Sequence, residues 1–430
     1  MTAGRAPERS RRRLVGVLGA NAAAWSATRL LAVAVPWFVL STTGSATATG
    51  LIVFAQMAPY VIVQMLAGPL IDRIGARRVS IVCDLIAVVA MAAAPTLYVT
   101  VGLPLWTLML VMAVVGAADG PSNIAKGVFV PEATRAAGVP IERGTGLVGA
   151  IERTATTIGP ALAGLVVAGF GSPAAFWVTA ALFAAGAAIV AATQPSGRVA
   201  AVAEPEPYRA RFRAGTAFLR NEPLLRSIVA MVAVTNLLDQ AVMAILLPVW
   251  ARRHDYGPAV IGLLISAFGA ASIIASLIAA RVGERLNRRR AYVIGFVIGG
   301  LPRFAALALG LPVWAVVAVF AAGGLGSGFV NPIIGAVTYQ RIPAAILGRV
   351  RSLTQALSYS GIPFGGLAGG AAIAVAGMPG AIWLIGAAYL VAILLPARRA
   401  DWAEPAAGVP GVVPAPRSAE SADATATVGA

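Results

Sequence analysis

The 430 residues are 59% apolar and only 12% charged, about half the charge that a water-soluble surface carries, which excludes an ordinary soluble enzyme. The ~254 apolar residues come close to the ~240 that twelve bilayer spans of about 20 residues would absorb. A net charge of +16 would point to nucleic acid on a soluble domain, but here the arginines form short runs between long apolar stretches, so no nucleic-acid partner is expected.

In chain order, residues 1–13 form a basic tail, expected to be disordered, with Arg5, Arg9, Arg11, Arg12 and Arg13. The apolar run behind it continues to Leu40 without an early small-residue cleavage site, so it reads as a first membrane helix rather than a signal peptide. Spans are predicted at 14–40, 46–71, 79–100, 104–127, 144–168 and 173–192, forming a first unit over 14–192. A polar linker, 193–225, follows, in which Tyr208, Arg209, Phe212, Phe218 and Arg220 suggest an amphipathic helix lying on the membrane face. The second unit, 226–396, holds spans at 226–250, 257–280, 291–310, 312–338, 352–375 and 379–396. The closing stretch, 397–430, is rich in Pro, Ala, Gly and Ser and is expected to be a disordered tail. A helix is the only open-ended element that satisfies its own backbone hydrogen bonds in lipid, and the alternating ten-residue segments of a barrel are absent.

Placing both termini in the cytoplasm gathers 28 of the 33 basic residues on that side, among them Arg73, Arg77 and Arg78, then Lys126, Arg135 and Arg143 after span four. The positive-inside rule therefore predicts a multi-pass protein of the plasma membrane with both ends cytoplasmic. Trp37, Trp106, Trp177, Trp250, Trp314 and Trp383 fall at the opposite ends of their spans, where amphipathic rings prefer the lipid interface.

Three charges lie inside spans one, four and seven: Arg29, Asp119 and Asp239. None should face lipid, because a charge at mid-bilayer costs on the order of 2.5–3.5 kcal/mol even on the mildest scale. Asn21, Trp25 and Arg29 step by four in span one; Asp119, Ser122, Asn123 and Lys126 run down one side of span four; Thr235, Asn236, Asp239, Gln240 and Met243 do the same in span seven. These faces outline a polar cavity. Trp25 and Met243 are either contacts for an aromatic or apolar substrate or packing elements. Glu152 and Arg153 in span five and Arg303 in span nine read as structural pairs within a half, and Asp84 lies near enough to the cytoplasmic face to reach Arg77 or water. The single cysteine, Cys83, cannot form an internal disulfide and the single histidine, His254, cannot assemble a metal cluster, so neither metal nor cofactor is expected. No lysine-bearing phosphate loop occurs, so ATP is not the direct energy source. No nucleophile with a base at hand is visible, and an enzyme is not expected.

A shift of 212 residues superposes Pro36 on Pro248, Gly50 on Gly262, Leu51 on Leu263 and Pro131 on Pro343. It also lays Asp72-Arg73-Ile74-Gly75-Ala76-Arg77-Arg78 on Glu284-Arg285-Leu286-Asn287-Arg288-Arg289-Arg290. Farther on, Gly171, Pro173 and Trp177 match Gly377, Pro379 and Trp383 at an offset of 206. Two six-helix units that start on the same side are parallel repeats, related by an axis along the membrane normal.

Twelve spans in parallel halves resemble the major facilitator superfamily over about residues 14–396. The superfamily's loop motif G-x-L-x-D-R-x-G-x-R-R is matched by Gly68, Leu70, Asp72, Arg73, Gly75, Arg77 and Arg78. The stretch from Thr43 to Leu51 with Pro59, and Phe218 to Arg226, resemble the branch of macrolide and siderophore efflux proteins. The span-five pattern of proton-coupled exporters is met by Gly146, Gly159, Pro160 and Gly164, with Ala155 replacing one glycine.

That resemblance implies an all-α membrane protein of two six-helix bundles with spans one, four, seven and ten around a central cavity. There Arg29, Asp119, Asn123, Asn236, Asp239 and Trp25 would meet substrate or proton. It implies that Asp72 latches the cytoplasmic side against span eleven near Arg349 or Arg351, with Glu284 and Arg285 as the weaker counterpart, although the superfamily's usual span-four arginine is missing. The function it implies is a monomeric, proton-coupled exporter of amphiphilic antibiotics, drugs or siderophore-like metabolites. The alternatives are a proton symporter or facilitator for a metabolite, and a non-transporting receptor or scaffold. Either Asp239 or Asp119 exchanges the proton, or a permanent pair between Arg29 and a carboxylate only orients helices.

Overall fold

A computed structural model describes residues 6–100, 102–195, 216–282, 288–342 and 347–397. All regular elements among them are helical: α1 (Ala6–Thr43), α2 (Ala46–Ile74), α3 (Ala76–Thr100), α4 (Leu105–Ala136), α5 (Ile141–Thr193), α6 (Pro223–Ala241), a π-helical turn (Val242–Leu246), α7 (Leu247–Arg253), α8 (Pro258–Val282), α9 (Arg288–Ala308), α10 (Val313–Arg341), α11 (Leu347–Tyr359) and α12 (Ile362–Ala397). Nine of the described helical stretches are long and apolar enough to cross a membrane, and Tyr292–Ala308 is a shorter apolar one.

Two of those stretches cross twice. A straight helix of the 53 residues of α5 would reach about 80 Å, far beyond the ~30 Å of a bilayer core. It folds back at Gly171, whose φ of 79° lies in the region that only glycine enters freely, and α12 does the same at Gly377 with φ 65°. Beyond the turn Phe176 lies against Phe38 of α1, ring centroids 5.4 Å apart, and the amide of Gln194 donates to the Arg13 carbonyl at the other end of α1. The two turns occupy repeat-equivalent positions. Counting them gives twelve passages among the described residues.

The helices form two bundles, α1–α5 and α6–α12. The first is cored by Met91, Met112, Phe176 and Phe183, the second by Trp250, Tyr292, Phe304 and Phe320. They meet where α5 packs on α8 and α2 on α12, and there small residues let backbones approach. A Cβ at Gly262 would run into the Pro160 carbonyl, and one at Gly50 into the Gly366 carbonyl.

We term the face carrying Arg73, Arg77 and Arg78 the basic face and the other the far face. From the far face to mid-depth the bundles are in contact. Arg252 donates through Nη1 to the Leu40 carbonyl, Phe54 meets Phe364 at 5.7 Å, and the Ala161 amide donates to Ser266. Leu40 and Val53 of the first bundle are built into the core of the second. Toward the basic face the helices part. Of the described side chains of residues 62–74 only Ala67 and Ile71 are buried, and of 141–154 only Gly144. A cavity between the bundles therefore opens at the basic face.

Some sequence expectations are displaced. Helix α1 begins at Ala6, within the expected tail, while the predicted amphipathic helix around Tyr208 to Phe212, and the tail beyond 397, lie outside the described residues. Helix α4 runs to Ala136 instead of ending near 127, so Lys126 lies not at the end of its helix but ten residues inside it, 1% exposed. Trp250 is not an interface ring: it is buried in the second bundle's core beside His254 and Tyr256. Trp106, Trp177, Trp314 and Trp383 are exposed at far-face ends.

Candidate functional site

Arg29 lies near the middle of α1, half-buried where the cavity ends. Its side chain fits because α5 carries glycine opposite: a Cβ at Gly159 would stand 2.8 Å from the Arg29 Cβ. The carboxylates nearest to it are Glu152 of α5 and Asp119 of α4, and the phenols of Tyr60 of α2 and Tyr359 of α11 lie in the same neighbourhood. Tyr359 is the one from the second bundle. Among the described residues Arg29 forms no ion pair, and its Nε is buried without a hydrogen-bond partner.

Asp119 is buried at mid-depth of α4. Its carboxylate accepts from the Thr28 hydroxyl at 3.3 Å and from the Asn123 amide at 3.0 Å, with no cation within ion-pair distance among the described residues. Asn123 is the next residue down that helix face and also donates to the Asp119 carbonyl.

Asp239, midway along the seventh passage, is not a partner of Arg29. It pairs with Arg303 of α9, Nη2 to Oδ1 at 2.5 Å, and the two are unequally placed: the Arg303 side chain is 2% exposed and that of Asp239 37%. The guanidinium stands over the rings of Tyr389 (4.9 Å), Phe304 (5.1 Å) and Phe268 (5.8 Å), so it is enclosed by π faces and one carboxylate. Asn236, one turn earlier, donates to the Ser358 carbonyl, next to the Tyr359 in the neighbourhood of Arg29. Arg29 and Asp239 thus border one cavity without touching. Trp25 is half-buried, and no polar contact of its ring is resolved.

A second buried ion pair lies outside the cavity. Lys126 Nζ is 2.8 Å from Asp84 Oδ1 and 2.5 Å from Ser122 Oγ, while Ser122 donates to the same carboxylate at 2.6 Å. The returning half of α5 covers it at Gly186. Its sequence position suggested that Asp84 reaches Arg77 or water; instead it is buried against Lys126 inside the same bundle.

At the basic face Gly75 takes φ 94° and its amide closes α2 on the Ile71 carbonyl. Arg77 donates to the Ala191 carbonyl at 2.8 Å, at the C-terminal end of α5, where a cation is favoured. Arg73 and Arg78 are exposed, and Gly68 has open space where a Cβ would stand. The side chain of Asp72 and those of Arg349 and Arg351 lie outside the described residues, as do Glu284 and Arg285 altogether. In the span-five pattern, Gly159 faces Arg29, Pro160 and Gly164 face α8, and Gly146 has open space near the basic face.

Sequence reading passed over Thr28, Tyr60 and Tyr359, and it read Glu152 as structural. The signal for Thr28 and Glu152 was their place beside or opposite Arg29 on adjoining spans. For Tyr60 and Tyr359 there was none, since a tyrosine within an apolar run does not disclose which way its helix is turned.

Two bundles of six passages around a polar cavity open at one face define a membrane carrier. The profile described as Major Facilitator Superfamily matches residues 17–257 and 229–419, and the chain belongs to that family of transporters. It is thus a multi-pass membrane transporter of small molecules, not an enzyme. It is 28% identical over 376 residues to "Multidrug efflux pump Tap" of Mycobacterium tuberculosis (strain ATCC 25618 / H37Rv), covering 85% of this chain and 89% of the relative. It is 25% identical over 370 residues to the protein of that name from Mycolicibacterium fortuitum, covering 85% and 90%. Among solved structures, nucleoside transporter NupG aligns at TM-score 0.73 and 15% identity over 90% of this chain and 98% of that one. The POT family transporter PepTSo aligns at 0.65 and 12% over 90% and 97%. Likeness at that identity speaks for the fold alone.

Proposed function

We propose that this transporter is an exporter of small amphiphilic compounds, driven by inward proton flow and working by alternating access as a monomer. The basic face is cytoplasmic on the positive-inside rule, so the cavity described above takes substrate from the cell interior. Similarity to multidrug efflux pumps over 85% of the chain supports the direction and the breadth of substrate.

Asp119 carries the proton, and the observation behind this is its setting: a buried mid-depth carboxyl held by two neutral donors and, among the described residues, by no cation. Asp239, matched by Arg303, is assigned no proton step. A proton on Asp119 removes one of the two carboxylate charges near Arg29, Glu152 being the other, and its release returns that charge. Closing the basic face and opening the far face exposes the same carboxyl to the other side. The test is uptake of a fluorescent drug into inside-out vesicles with an acidic lumen. Wild-type protein should accumulate it and lose it when the pH gradient is dissipated. Asp119→Asn should carry it only downhill. Unchanged coupling in that variant would remove Asp119 from the proton path; accumulation only in right-side-out vesicles would mean a symporter.

A further inference from the structure

The Asp239–Arg303 pair is a dipole with a direction. Its positive end is sunk into the wall of the second bundle behind three aromatic rings, and its negative end is the 37%-exposed carboxylate. Arg303 occupies one lone pair of Oδ1, and a carboxylate offers about four acceptor sites. Among the described residues Oδ2 has no hydrogen-bond donor. The cavity therefore meets the acceptor end of the pair.

The helix around Asp239 is shaped for access as well. From Ala241 to Ala251 every side chain is buried except Met243, which is half-exposed one turn beyond Asp239. Asn236, Asp239, Gln240 and Met243 form a partly open polar stripe that continues from the half-open residues 232–234 into the packed stretch 241–251. The π-helical turn Val242–Leu246 begins on this stripe, and such single turns inside α-helices frequently mark functional positions, because the extra residue re-aims the side chains around it. A carboxylate next to a thioether on an apolar wall suits the headgroup and the body of one kind of molecule.

We propose that Asp239 and Met243 form a cation subsite, and that the preferred substrates are amphiphiles carrying a protonated amine. This rests on the reading that amphiphiles enter the cavity, and it adds the charge they bear. The amine donates to Oδ2 of Asp239 while Met243 packs against the apolar part. Arg303 is a positioning residue that fixes the carboxylate from behind. The division of work follows: Asp119, without a cation partner, exchanges the proton, and Asp239 holds the substrate.

The experiment compares three probes with one fluorophore, monodansylcadaverine (cation), dansylamide (uncharged) and dansylglycine (anion), binding to the full chain in lipid nanodiscs, with empty discs subtracted. The wild-type protein should bind the cation about tenfold tighter than the uncharged probe, as one charge-assisted hydrogen bond provides. Asp239→Asn should bring the two to parity and leave dansylamide binding unchanged, which also reports an intact cavity. Should that variant not fold with Arg303 left unmatched, Asp239→Asn with Arg303→Gln removes both charges and should give the same parity. Met243→Ala should weaken both probes equally. A cation preference that survives loss of Asp239, no preference in the wild type, or preference for the anion would each overturn the subsite. Binding in nanodiscs needs neither direction nor a gradient, so the subsite can stand even if vesicle uptake refutes export.

Discussion

Lys126 and Arg29 show opposite fates of a basic side chain in the same bundle. Lys126 is fully enclosed with Asp84 and Ser122, and its charge is spent on holding α3 to α4. Breaking a buried pair by removing one partner costs about 3–5 kcal/mol, because the other charge stays behind. Lys126→Met should therefore lower the unfolding temperature of the purified protein markedly, and Asp84→Leu added to it should restore much of the loss. Arg29 has no such partner among the described residues and owes its room to Gly159. Replacing Gly159 by Leu should push α1 from α5 at that level and abolish flux while the protein still inserts, which surface expression and vesicle transport would check.

At the scale of elements, the spans were legible because lipid accepts only long apolar helices and because basic runs mark one side. The turns at Gly171 and Gly377 were legible as ends of spans. What could not be read was the rotation of each helix and the choice of neighbours. Asp239 lies beside Arg303 because the seventh and ninth passages adjoin, a fact of packing with no trace in local spacing. Lys126 read as the charge at the cytoplasmic end of span four, and its partner 42 positions earlier, which keeps it buried, could not be read from spacing. The contact elements themselves are testable. A leucine at Gly50 would wedge α2 from α12, and overpacking of this kind costs roughly 1–3 kcal/mol. In a background with Cys83→Ser, a cysteine placed at buried Val53 should then react with a maleimide about tenfold faster, since the far face is held open more of the time.

The whole molecule is caught with one entrance closed. In the same cysteine-free background, Leu147→Cys should label readily in the purified protein and Val53→Cys slowly, and conditions that open the far face should reverse the order. Equal rates at both positions would mean that the bundles are not closed at the far face at rest.

The Asp239–Arg303 pair has no twin at the equivalent positions of the first bundle. At an offset of 212, Asp239 answers to Ala27, Arg303 to Met91 and Arg29 to Ala241. Duplication copied the scaffold, but each ionised group of the cavity is present in a single edition. Rocking can be symmetric in such a molecule while its chemistry is not: one lobe would gauge acidity, the other would grip cargo. A chimera built from two copies of either lobe should still assemble into a pore-like bundle, yet it would lack one of those duties altogether.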